Sequence, residues 1–170
     1  GCKGLLIGFE TISKGSLGDA GKRFNDPTNY PQLVRDLHRH GISVQGCFVF
    51  GLDHDTPDAF EETARFVIDT AIDLPRFAVL TPFPGTPLYN RLDAQGRILT
   101  RNWELYDGQH VVFQPRNMTI QELQEGHRPH RIGVAHVIVL QLGDGLVGDG
   151  VGSAPGHQEG GGDASEEEGH

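Results

Sequence analysis

Three short apolar runs dominate the first half of the sequence: Leu5, Leu6, Ile7 and Phe9; Val44, Cys47, Phe48, Val49 and Phe50; and Phe77, Ala78, Val79 and Leu80. Runs without apolar/polar alternation are the pattern of strands buried on both faces, because neither face meets water. The segments between them are too long for hairpins and read as helices. In the first, Pro31 opens a segment with Leu33, Val34 and Leu37 at helical spacing, and Gly41 fits the C-terminal cap. In the second, Thr56 is the expected capping hydroxyl and Pro57 the first helical residue, with Asp58, Glu61 and Glu62 favouring the positive N-terminal end. Phe60, Ala64, Val67, Ile68 and Ala71 then form one apolar stripe. Strand, helix, strand, helix, strand predicts an α/β fold with parallel strands and right-handed crossovers.

Beyond residue 80 the pattern predicts a third helix in TPLYNRLDAQG, capped by Thr86 with Pro87 in its first turn and ending at Gly96. A strand-like HVVF and a capped MTIQELQEG follow. From residue 127 the pattern fails. Apart from GVAHVIVLQL, which has strand character, residues 143–170 hold ten of the 24 glycines and end in EEEGH, so a disordered tail is expected there. The expected division is thus 1–95, 96–126 and 127–170.

Composition narrows the function. A net charge of -9 argues against a nucleic-acid groove, which needs clustered Lys and Arg. No run approaches a membrane span, and mean hydropathy is -0.35, so a cytoplasmic protein without a transmembrane segment is expected. The two cysteines, Cys2 and Cys47, exclude a multi-bridge disulfide framework and a local metal knuckle. The first residue is Gly1, the sole methionine is Met118, and the opening GCKGLLIGFE is already strand-like, so a fragment is expected.

In parallel α/β sheets ligands meet the carboxyl ends of the strands. Here those ends read GFETIS, FVFGLDHDT and LTPFPGT. The prolines of PFPGTP pre-set the backbone and Gly85 supplies a tight turn, so this loop can hold one shape over a ligand. Glu10 can bond a ligand amine or hydroxyl, although a strand-terminal glutamate is more often solvated or ion-paired. Asp53, His54 and Asp55 have metal-ligating chemistry, but Asp55 and Thr56 also stand where a helix cap belongs, and capping is the stronger reading. His38 and His40 form an HxH pair at a helix C-terminus, where cations complement the dipole. Lys22 and Arg23 suit an anion or a solvated loop. Trp103, Tyr106 and His110 suit a pocket lining or, more simply, aromatic packing.

Four stretches, GCKGLLIGFETIS, KRFNDPTNYPQLVRDLHRHGISVQGCFVFGLDHDT, FAVLTPFPGTPLYNRLDAQGRIL and NWELYDGQHVVFQPRNMTIQEL, together resemble the C-terminal half of the cobalamin-binding-domain radical S-adenosylmethionine proteins. The resemblance covers about residues 1 to 126. It implies a partial (β/α) barrel, three of its parallel strands being present, in an enzyme with a 4Fe-4S cluster that reduces S-adenosylmethionine, often with cobalamin relaying a methyl group to a small-molecule or lipid-like substrate. Position by position it implies that Glu10 and Thr11 lie beside the S-adenosylmethionine moiety, Phe50, Gly51 and Leu52 beside its adenine and ribose, and Thr81, Pro82 and Phe83 beside the adenine or substrate cavity.

The sequence also departs from the family. Cluster ligation needs three grouped cysteines, which Cys2 and Cys47 do not supply. The cobalamin site and the first barrel strands are not found in it either, so the chain alone is expected to be inactive and marginally stable, with an N-terminal half as its partner. After QEL the family continues with an aromatic-rich helix, whereas residues 127–170 contain no Phe, Tyr, Trp or Lys, and a shifted reading frame is expected. Two other readings stand beside the enzyme: a non-catalytic remnant or binding module with a partial α/β fold, and a metal hydrolase using His38, His40 and His54.

Overall fold

The computed structural model describes residues 1–19, 21 and 25–128. Three strands, β1 (Gly4–Glu10), β2 (Ser43–Phe50) and β3 (Leu74–Val79), form a parallel sheet in the order β1-β2-β3. Gly4 pairs with Ser43 and Gln45 with Leu74, and the β1–β2 register slips between Gly8 and Glu10. The sheet is open, not closed into a barrel.

The connections are helical, as the pattern predicts. Helix α2 (Tyr30–Arg39) ends where Gly41 turns left-handed at φ 68°, and the amides of Gly41 and Ile42 return to the carbonyls of His38 and Leu37. Helix α3 (Asp58–Thr70) buries Thr63, Ala64 and Val67. Helix α4 (Pro87–Ala94) is capped by Thr86, whose hydroxyl accepts the Tyr89 amide at 3.2 Å. Helix α5 (Ile120–Gly126) has a full capping box between Thr119 and Glu122. A short helix, α1 (Lys14–Asp19), also lies between β1 and α2. HVVF is not a strand: it contributes one bridge, Ile98 to Phe113.

One face of the sheet is covered by the helices. Phe9, Phe48, Phe77 and Phe50 run across it as a chain of rings, with centroids 5.5, 6.0 and 5.8 Å apart in turn. Phe66 of α3 meets Phe9 and Phe48 edge-on. Tilted and edge-on rings in a close-packed layer add to the area they bury.

The opposite face is open, which corrects the expectation of strands buried on both sides. Strand β2 alternates between buried and half-buried residues, and in β1 Leu6, in register with the half-buried Gln45, is 66% exposed. The apolar run in the sequence therefore marks two faces of which the described residues cover only one. The segment after α4 wraps the far end of the sheet: the Val79 amide bonds the Gly108 carbonyl, and Phe113 and Leu123 are fully buried. Expectations for residues 129–170, the strand-like run and the glycine-rich tail among them, lie outside the described residues. His127, the first residue of that expected tail, is buried and sits just past the end of α5.

Candidate functional site at the strand ends

Because the strands are parallel, Glu10, Gly51 and Thr81 all lie at one end of the sheet. The Leu80 amide donates to the Phe50 carbonyl at 2.8 Å, carrying the pairing past the end of β3. Glu10 has φ 64°, a left-handed conformation unusual for a side-chain-bearing residue, at the register slip. After it the buried Thr11 donates its amide to the Phe9 carbonyl at 2.8 Å and accepts the Ser13 amide on its hydroxyl at 3.1 Å. At β3 the Thr81 hydroxyl donates to the Val79 carbonyl, Pro82 is buried and Phe83 is 53% exposed. The Thr86 amide and hydroxyl both donate to the Phe83 carbonyl, fixing the turn that contains Gly85.

A buried carboxylate ties two of these ends together. Asp55 accepts the Gly51 and Leu52 amides on Oδ2, each at 3.0 Å, and the buried Ser16 hydroxyl on Oδ1 at 2.6 Å. This corrects the capping assignment, since no side chain caps α3: Asp55 holds the turn after β2 to the loop after β1, and the Thr56 hydroxyl does not serve as a cap. Gly51, at φ 98°, is needed on two counts. Its backbone is left-handed, and a Cβ there would lie 2.8 Å from Leu123 Cδ2 and 3.1 Å from the Phe113 ring.

Asp53 anchors the wrap-around segment. Only 6% exposed, it bonds Arg91 at 3.0 Å and Arg97 at 2.8 Å, while its carbonyl accepts the Asn117 amide group at 2.7 Å. Burial pushes its carboxyl up, but the Arg97 hydrogen bond and the charges of Arg97, Arg91 and Arg116 outweigh that and hold it below the ordinary value. Asp53 is thus an ionised structural tie. Arg97 also lies over the Phe113 ring at 5.9 Å.

Strand alternation separates the predicted ligand contacts into two groups. Phe50 and Leu52 are each 2% exposed, and Phe50 packs on Phe60 and Phe77 on the covered face. Facing the other way are Glu10, Val49 and Ala78, and one layer below them Gly8, Cys47 and Arg76, in register across the three strands. Gly8 leaves room for the Glu10 side chain, whose Oε1 would lie 2.7 Å from a Cβ at that position. Burial pushes the Cys47 thiol up, Glu10 adds to the shift and Arg76 opposes it, so the thiol stays protonated near neutrality. Val49 was missed in the sequence, although its place between Phe48 and Phe50 fixes its face once one neighbour is known to be core.

Other candidates are dispersed. His38 bonds Asp73 at 2.9 Å and His40 bonds the Asp36 carbonyl at 2.7 Å, at the opposite end of the sheet from the strand tips. His54 lies against Gly15. Trp103 packs edge-on to Tyr106, whose hydroxyl donates to the Thr100 carbonyl, and His110 pairs with Asp107. Lys22 and Arg23 lie outside the described residues. Among the described residues no group of three His, Cys, Asp or Glu side chains is placed to hold a metal ion, and no helix is long and apolar enough to cross a membrane.

No protein-family model matches the chain. It is similar to the bacteriochlorophyllide d C-12(1)-methyltransferase of Chlorobaculum tepidum, with 37% identity over 125 residues that make up 74% of this chain and 27% of the relative. The bacteriochlorophyllide d C-8(2)-methyltransferase of the same organism is 32% identical over 66% of this chain and 25% of its own length. The hopanoid C-2 methylase of Rhodopseudomonas palustris is 32% identical over 56% of this chain and 18% of its own length. The chain thus spans about a quarter of the first two relatives. These relatives are members of the cobalamin-binding-domain radical S-adenosylmethionine family, and the likeness to them covers 56–74% of this chain.

Proposed function

We propose that this chain is the part of a radical S-adenosylmethionine methyltransferase that faces S-adenosylmethionine and a hydrophobic substrate, tetrapyrrole- or hopanoid-like. The observation that carries the reading is the parallel alignment of three strands whose ends, at Glu10, Gly51 and Thr81, lie along one edge beside an uncovered sheet face. In this reading residues 1–95 are the barrel portion and 96–126 the extension that braces it. Glu10 and Thr11 lie beside the amino-acid moiety of S-adenosylmethionine. Around the adenine and ribose, Phe50, Gly51 and Leu52 act through their backbone and Val49 through its side chain. Thr81, Pro82 and Phe83 bound the adenine or substrate.

The family's 4Fe-4S cluster does not fit this chain. It needs three grouped thiolates, whereas Cys2 is exposed at the N-terminus and Cys47 lies mid-strand in β2. The role proposed for this chain therefore includes no step at the cluster, and in this reading both the cluster and cobalamin are held by other parts of the enzyme. The cysteine count also favours the second reading, a non-catalytic binding module with the same fold.

S-adenosylhomocysteine titrated into the full chain, followed by ligand-observed NMR, tests the proposal. Saturable binding that disappears in Val49→Glu, with the circular dichroism unchanged, is the expected result. Absence of binding to the unaltered chain overturns the assignment of this edge.

A further inference from the structure

The middle layer of the open face carries its guanidinium. Below it lie Leu6, Gln45 and Leu74 and above it Glu10, Val49 and Ala78, while the layer itself holds Gly8, Cys47 and Arg76 in register. Arg76 is exposed and makes no hydrogen bond or ion pair among the described residues, although its charge reaches the Cys47 thiol. The one carboxylate that acts on the same thiol, Glu10, has an interaction of its own. A neutral apolar ligand covering this face would bury a guanidinium with nothing to neutralise it, which is costly. A ligand carboxylate would meet the guanidinium in its preferred forked geometry, and the apolar surround would strengthen the pair once water is displaced.

We propose that Arg76 is the anion-recognising residue of this face, pairing with a carboxylate carried by an otherwise apolar ligand seated against Leu6, Val49, Leu74 and Ala78. The inference rests on the reading that the open face meets substrate, and it narrows that substrate to an amphipathic acid. Charge complementarity selects the occupant, because the guanidinium is the face's one cation without an ion pair among the described residues.

The test compares two probes on the full chain: pyropheophorbide a, a flat macrocycle with one carboxylate, and its methyl ester, which has none. Binding is followed by fluorescence in the same detergent and buffer. The acid is expected to bind roughly tenfold more tightly than the ester, about the effect of one charge-assisted hydrogen-bonded pair. Arg76→Met removes that preference by weakening the acid alone, and Arg76→Lys restores part of it. Equal binding of acid and ester, or a preference that survives Arg76→Met, overturns the role of Arg76 while leaving the face as a ligand surface. Failure of both probes to bind overturns the role of Arg76 and the substrate-facing reading of the open face together, whereas S-adenosylhomocysteine binding reports on the strand-end edge separately.

Discussion

Replacing Asp55 with alanine tests whether one carboxylate secures two strand ends. Asp55 is 4% exposed and Ser16 fully buried, and the carboxylate accepts three bonds, from the Gly51 amide, the Leu52 amide and the Ser16 hydroxyl. Truncation strands all three donors where water does not reach. At about 1–2 kcal/mol for each stranded donor, the loss is roughly 3–6 kcal/mol. Ser16→Ala removes one donor together with its bond and costs about 1–2 kcal/mol. Asp55→Asn preserves volume but turns a donor towards either the amide pair or the hydroxyl, so its cost falls between the two. Domain stabilities are of the order of 5–15 kcal/mol, so all three variants are within reach of urea unfolding followed by circular dichroism at constant slope. If Asp55→Ala costs no more than Ser16→Ala, the carboxylate does not hold the turn and the reasoning fails.

Gly51→Ala combines a left-handed backbone with a clash against Leu123 and Phe113, and a loss of about 2–6 kcal/mol is expected, since overpacking and backbone strain each cost about 1–3 kcal/mol. A double variant with Leu123→Ala should show less than the sum of the two costs, and strict additivity in the same unfolding assay refutes the contact. Burial of His127 lowers its pKa, the Leu123 carbonyl opposing the shift and the Arg128 charge adding to it. The unfolded chain then takes up the proton more readily. The contribution of neutral His127 is therefore complete above the ordinary histidine value of about 6.5 and is lost as pH falls from there towards the folded value. Stability of the unaltered chain should drop more steeply in that window than stability of His127→Gln, and parallel profiles refute the assignment.

Much of the fold was legible because the signals are local. An apolar run makes a strand, and Thr86 with Pro87 or Thr119 with Glu122 begins a helix through contacts within one turn. What escaped is non-local. Asp55 stands beside a helix start, yet its donors include Ser16, 39 positions away, and no local rule weighs that partner against a cap. Arg91 and Arg97 meet Asp53 across 38 and 44 positions. The exposure of Leu5 and Leu6 was equally hidden, because an apolar run records the burial a strand is suited to and not what the described residues place over it.

The order of the sheet also bears on how it assembles. Strands β2 and β3 enclose a shorter crossover than β1 and β2, since Gln45 meets Leu74 whereas Gly4 must find Ser43. Loop closure favours the nearer pair, so β2, α3 and β3 can form a hub before the first strand docks. Emerging from the ribosome before β2 and β3 and joining them last, β1 spends the interval with Leu5, Leu6 and its backbone donors open to other chains, the period in which a holding chaperone would matter most to this polypeptide.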